Sequence, residues 1–126
     1  RSFFWTLEAG IRPVPNQIIG FPNEDFKSIR MNLEAWKELG IVVKPHFATP
    51  YPGSEWFTIY RKKLEEQYGG DLEAFILDLG DASKITGVIS KNFSAVELVG
   101  LRDMMLNSDH RHIDEYEKIW LKNQTN

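Results

Sequence analysis

The stretch that decides the fold is Pro15-Asn16-Gln17-Ile18-Ile19-Gly20-Phe21-Pro22-Asn23-Glu24, then a helix-patterned segment, then Ile41-Val42-Val43-Lys44-Pro45-His46-Phe47-Ala48-Thr49-Pro50-Tyr51-Pro52-Gly53. Two short β-branched runs flank one run of helical periodicity, the pattern of a strand–helix–strand unit with parallel strands. Within Glu24–Leu39, the residues Phe26, Ile29, Leu33, Trp36 and Leu39 recur at spacings of three and four, an apolar stripe for packing on a sheet. Asn23 suits the N-cap, Glu24 and Asp25 suit the positive end of the dipole, and Gly40 suits the close. The strands expected at Gln17–Ile19 and over 41–47 each end in a tip rich in Gly and Pro. In parallel sheets and barrels the loops after the carboxyl ends of strands bind ligands. Function is therefore sought at the tips 20–24 and 49–53.

Working outward, residues 2–9 put Phe3, Phe4 and Leu7 on one helical face, with Gly10 as its left-handed stop. Pro13 and Pro15 exclude helix before the first strand. Downstream, Ser54 can cap a helix with Phe57, Tyr60 and Leu64 inward, ending near Gly69-Gly70. Asp71 can cap a short one carrying Leu72, Phe75, Ile76 and Leu79, which Gly80 stops. Residues 81–93 read as irregular. Ser94-Ala95-Val96-Glu97 has the form of a capping box for a helix through Leu98, Leu101 and Met105. After the break at Asn107-Ser108-Asp109, a last helix carries Ile113, Tyr116, Ile119 and Trp120.

Two strands and five or six helices raise a physical problem. Parallel strands are normally buried on both faces within a larger sheet, and a lone pair leaves two edges open to further strands. Either the helices cover this small sheet, or further strands lie upstream. The second is expected, because the chain opens at Arg1 inside a helical pattern with neither Met nor N-cap. On its own the chain is expected to be marginally stable or to self-associate through the strand edge.

Composition narrows the classes. With 42% apolar and 26% charged residues the chain is of ordinary globular type. A net charge of −3 argues against a general nucleic-acid or anionic-membrane binder. No run approaches a membrane span. The absence of cysteine excludes disulfides and thiolate metal sites within the chain, and fits a cytoplasmic protein.

The Gly20 tip lets backbone approach a ligand beside a helix N-terminus, the alternative being a plain strand-to-helix turn. The Thr49–Gly53 tip is stiff and carries an aromatic ring, although Pro-rich turns are usually structural. His46, near the end of the second strand, is either a polar contact in a barrel interior or a core histidine. His110 and His112, two apart, fall on different helical faces and do not read as metal ligands. Asp78 and Asp81 flank Gly80 as a helix end rather than an acid/base pair. No Ser/His/Asp set, P-loop or dinucleotide fingerprint is present.

The segment Gln17-Ile18-Ile19-Gly20-Phe21-Pro22-Asn23-Glu24, the helix, and Phe47-Ala48-Thr49-Pro50-Tyr51-Pro52-Gly53-Ser54 together resemble the fifth and sixth strand segments of radical SAM enzymes. The nearest branch is the one often preceded by a cobalamin-binding domain, with Gly-Phe-Pro-Gly-Glu-Thr-like and Thr-Pro-x-Pro-Gly-Thr turns in this order. Leu7-Glu8-Ala9-Gly10-Ile11 upstream, and Asp78-Leu79-Gly80-Asp81-Ala82 and Glu97-Leu98-Val99-Gly100-Leu101-Arg102-Asp103 downstream, extend the likeness over most of the chain. Asn23 stands where glycine is usual and Asp25 where threonine is common, and the Cys-x3-Cys-x2-Cys cluster loop is absent.

The resemblance implies an α/β fold: the C-terminal portion of a partial (β/α)6 TIM-like barrel over residues 1–64, followed by an α-helical extension over 65–126. The extension would close the barrel and shape the substrate entrance. It implies a parent enzyme that cleaves S-adenosylmethionine (SAM) at a [4Fe–4S] cluster held upstream and forms a 5′-deoxyadenosyl radical, with cobalamin a further cofactor in part of that branch. The backbone around Ile18, Gly20, Phe21 and Pro22 would contact the SAM adenosine. His46, Thr49 and Tyr51 would line the mouth near SAM or an unidentified substrate, and Glu24 would cap the helix start. Two readings from other classes stand beside it: an independent α/β module that binds a protein partner through its strand edge or apolar helix faces, and a small nucleotide-binding module built on the Gly20 tip.

Overall fold

Gln17–Ile19 (β1) and Pro45–Phe47 (β2) form a parallel pair in the computed structural model, which describes residues 4–5, 8–11, 16–41, 43–106 and 112–124. Gln17 lies opposite Pro45, Ile18 opposite His46, and Ile19 opposite Phe47. Among the described residues the helices are α1 (Phe26–Leu39), α2 (Glu55–Gln67), α3 (Leu72–Asp78), α4 (Ala95–Leu106) and α5 (Ile113–Gln124). The chain is thus a mixed α/β protein with a two-stranded parallel sheet. At the N-terminal end, Gly10 is left-handed as expected. Phe4 there is exposed, and Phe3 and Leu7 lie outside the described residues.

Strand β2 is shorter than the expected 41–47. Helix α1 closes through left-handed Gly40, and the Ile41 N–H is still bonded to the Trp36 carbonyl at 3.1 Å. Ile41 therefore belongs to the helix closure, and the described ladder begins at Pro45, opposite Gln17. The start of α1 also differs. Asp25, not Asn23, is the N-cap, in a reciprocal box with Ser28: Asp25 Oδ1 accepts the Ser28 N–H at 3.0 Å and Ser28 Oγ accepts the Asp25 N–H at 3.2 Å. The helix starts later because Glu24 is engaged in the turn before it. The Glu24 N–H donates to the Phe21 carbonyl at 3.2 Å, closing residues 21–24 as a tight turn.

Alternation along the strands gives the sheet two unlike faces. Gln17, Ile19, Pro45 and Phe47 are buried, whereas Ile18 is 41% exposed and His46 half-buried. Ile19 and Phe47 belong to a core with Phe26, Ile29 and Leu33 of α1, Leu98, Leu101 and Met105 of α4, and Ile113 of α5. Phe26, Phe93 and Trp120 meet edge-on or tilted at 5.2–5.8 Å, fastening α5 to α1. A second cluster gathers Ala48, Leu64, Phe75 and Ile89. Residues 64–65, where the sequence divides barrel from extension, fall inside α2.

The irregular stretch 80–93 is a strap lying along both clusters. Gln67 holds it with a pair of bonds to Val88: Nε2 to the carbonyl at 2.7 Å, and Oε1 from the N–H at 2.8 Å. Lys63 Nζ reaches the Ser90 carbonyl at 3.0 Å, and the Phe47 N–H donates to the Ala82 carbonyl at 2.7 Å. The outer edge of β2 is therefore capped at one point, while β1 pairs with no other described strand.

Candidate functional site

Because the strands run parallel, the tips 20–24 and 49–53 stand at the same end of the sheet. They are joined there by the Ala48 N–H to the Ile19 carbonyl at 2.8 Å. Gly20 has φ +97°, a conformation that L side chains rarely adopt. Its N–H donates to Glu24 Oε1 at 2.7 Å. Glu24 is buried, and desolvation raises its pKa; the Gly20 N–H opposes that shift and Asp25 adds to it. Glu24 thus stabilises the turn instead of capping α1, which corrects the role expected from the resemblance. The Gly20 amide is in turn engaged within the tip.

Beside β1 lies an open groove of about 520 Å³. Ile18 and Phe21 supply its apolar wall, and Gln17, Asn23, Ser28 and Asn32 are among its polar lining. Gln17 is fixed by Trp36, whose Nε1 donates to its Oε1 at 2.8 Å. Phe21 is 38% exposed and packs edge-on against Trp56 at 5.5 Å, so its ring has a wall on one side. Pro22 is half-buried behind it. Ile18, Phe21 and Glu24 share this groove, and Gly20 and Pro22 set the turn that shapes it.

The second tip is tied to the strand before it and to the strap. Thr49 Oγ1 donates to the Phe47 carbonyl at 2.9 Å, and the Tyr51 hydroxyl donates to the Gly80 carbonyl at 2.7 Å. Ser54 caps α2 by accepting the Phe57 N–H at 3.2 Å. His46 is on the open sheet face beside Ile18. Asp81 is close enough to feel the charge of His46 and Lys44, but it is Ser83, bonding through hydroxyl and N–H, that chiefly holds its carboxyl below the usual range. Asp78 faces elsewhere, accepting from Lys84 Nζ at 2.8 Å and the Tyr68 hydroxyl at 2.6 Å. Lys84 first, then Tyr68, hold its carboxyl low, while burial and Asp78 push the Tyr68 hydroxyl up to about 12. Asp78 and Asp81 are thus latches, both held low and not driven apart in pKa as an acid and base pair requires.

Among the described residues no group of three or more His, Asp or Glu is arranged to hold a metal ion, and no helix is long and apolar enough to cross a membrane. His110 lies outside the described residues. Sequence spacing missed the strap's hold on the first tip: the Lys91 N–H donates to the Pro22 carbonyl at 3.0 Å, and Asn92 Nδ2 to the Glu24 carbonyl at 2.8 Å. The one signal available was the capping box at Ser94, which fixes where the strap must end. Compared with family models, curated proteins and solved structures, the chain matches none.

Proposed function

We propose that this chain is the C-terminal part of a radical SAM enzyme, the last strands of a partial (β/α)6 barrel with its helical extension, providing contacts to SAM and to a substrate. The observation that carries the proposal is the one-sided parallel pair. In a barrel the strand face opposite the helices points inward and the carboxyl ends hold the site. Ile18, 41% exposed, and half-buried His46 stand side by side on the face turned away from the core, with both tips at the carboxyl end.

The residues fit an adenosine in part. Exposed Ile18 and Phe21 offer apolar surface to a purine beside the groove, whereas the Gly20 amide is already bonded to Glu24. The chain has no cysteine and so gives no thiolate to an iron–sulfur cluster. The cluster belongs to the remainder of the parent, and neither it nor cobalamin is assigned a residue here. Cluster and SAM supply the radical chemistry when bound. This chain would bind and orient: Ile18 and Phe21 against the adenosine, Gly20 and Pro22 shaping the turn, His46 as a polar contact on the inner face, and Thr49 and Tyr51 bracing the second tip. A cytoplasmic location accompanies this assignment.

The test is SAM affinity of the full-length protein. Phe21→Ala should weaken it about fivefold or more, the scale of an aromatic–base contact, with the melting temperature little changed. Unchanged affinity, or an upstream sequence without three closely spaced cysteines, refutes the proposal. A partner-binding module is the second reading, favoured by exposed Ile18 and by the absence of a second described strand beside β1. Sedimentation that finds the full-length protein self-associating through this edge, with no SAM binding, would select it.

A further inference from the structure

We propose that Asn92 is a positioning residue for the Gly20–Glu24 tip, clasping it from the helical half of the chain in the setting that receives an adenosine ligand. This rests on the function proposed above. The tip is built on a strand only three residues long, and its inner bonds, Gly20 to Glu24 and Glu24 to Phe21, fix its shape but not where it stands. Two hydrogen bonds from the distant half of the chain do that. The Lys91 N–H holds the Pro22 carbonyl and Asn92 Nδ2 holds the Glu24 carbonyl.

The clasp is itself anchored. Phe93 is buried in the main core and its N–H donates to Ser90 Oγ at 3.1 Å. The Ser90 carbonyl accepts from Lys63. Asn92 is thus held between bonded Lys91 and buried Phe93. Phe21 immediately precedes clasped Pro22 and its carbonyl accepts the N–H of clasped Glu24, so moving those two residues moves the ring that walls the groove. Lys91 acts through its backbone N–H, which any residue but proline supplies. Asn92 acts through a side-chain amide, which makes the clasp dependent on sequence.

The experiment compares the full-length protein with its Asn92→Ala, Asn92→Asp and Gln67→Ala variants. Hydrogen exchange is followed in peptides covering Ile19–Asp25, and SAM affinity by anaerobic equilibrium dialysis. Gln67→Ala loosens the same strap at Val88, away from the tip. Loss of the clasp bond should speed tip exchange and weaken SAM binding, each about three- to tenfold, in both Asn92 variants. Gln67→Ala should lower thermal stability and leave both readouts near wild type. Tip exchange unchanged in the Asn92 variants, or SAM affinity falling no further than in Gln67→Ala, overturns the proposal. A wild-type protein that binds no SAM overturns the proposed function and the adenosine role of Asn92 with it. The exchange arm needs no ligand, and so separates that outcome from a clasp that does not exist.

Discussion

Replacing Gly20 by alanine isolates one backbone angle. At φ +97° an L residue is strained whatever the space around it, and the added Cβ would meet Leu98 Cδ1 at 3.4 Å and Ala48 N at 3.8 Å, ordinary contact distances. The cost is therefore conformational, about 1–3 kcal/mol for a non-glycine residue in such a region. Against it stands the reduced freedom of the unfolded chain, which stabilises an alanine variant by about 0.4–1 kcal/mol. Taken at the middle of both ranges, Gly20→Ala should then destabilise by about 1.3 kcal/mol. Valine should cost about 1–3 kcal/mol more, because its branch presses on buried Leu98. Urea unfolding followed by tryptophan fluorescence measures both, with Trp56 reporting on the tip through Phe21. A Gly20→Ala midpoint within ~0.5 kcal/mol of wild type, the range of an unremarkable surface change, would refute the strain reasoning. Equal values for alanine and valine would refute the role given to Leu98. Gly20 is accordingly a poor place to probe ligand contact, and Phe21 a better one.

Other outcomes follow from the packing and the charges. Gly87→Ala would set its Cβ on top of Leu64 Cδ2 and 2.8 Å from Phe75 Cε2, both side chains fully buried; a loss of about 2–3 kcal/mol is expected by denaturation. Trp120→Ala removes ring contacts to Phe26 and Phe93 and should cost about 3 kcal/mol. Arg30→Ala, which breaks surface pairs with Asp114 and Glu117, should cost no more than about 1 kcal/mol, and the difference should shrink in high salt. Burial raises the Glu24 pKa above 4.5, so between 4.5 and the raised value the folded state binds more protons than the unfolded one. Glu24 then favours folding most in acid and loses that contribution as pH rises through its folded pKa. Glu24→Gln, which keeps an oxygen for Gly20, should gain on wild type as acid solutions are brought to neutrality; paired denaturation curves showing the opposite trend would reject the assignment.

What could be read from the sequence was what depends on near neighbours. The stripe from Phe26 to Leu33, the caps at Ser54 and Asp71 and the box at Ser94–Glu97 are all local, and each is found where spacing puts it. The parallel pairing of β1 with β2 followed from the helix between them. Errors arose where two local devices competed for one residue. Glu24 could cap α1 or turn back to Gly20, and Asp25 with Ser28 settles that competition by capping one step later. Ile41 could extend β2 or finish α1, and the Trp36 carbonyl holds it. At the site, Ile18 and Phe21 entered only through the resemblance; that their side chains share one groove follows from the alternation along β1 and from the turn after it, whereas Gln17–Ile19 reads in the sequence as a buried strand. The hold of Asn92 on Glu24 spans a separation that no periodicity encodes.

The strap between α3 and α4 has a consequence for how this chain can change over time. Surface loops ordinarily absorb extra residues without harm. Here one end is tied to the Thr49–Gly53 turn through Tyr51 and Gly80, the other to the Gly20–Glu24 turn, and the middle to α2 through Gln67. One added residue lengthens an extended chain by ~3.3 Å, more than the whole length of the 2.8 Å bond that Asn92 must make. The spacing between Gly80 and Asn92 is therefore a fixed measure: single-residue insertions there should be as damaging as a substitution in the core, in a segment that looks, by its lack of helix or strand, free to vary.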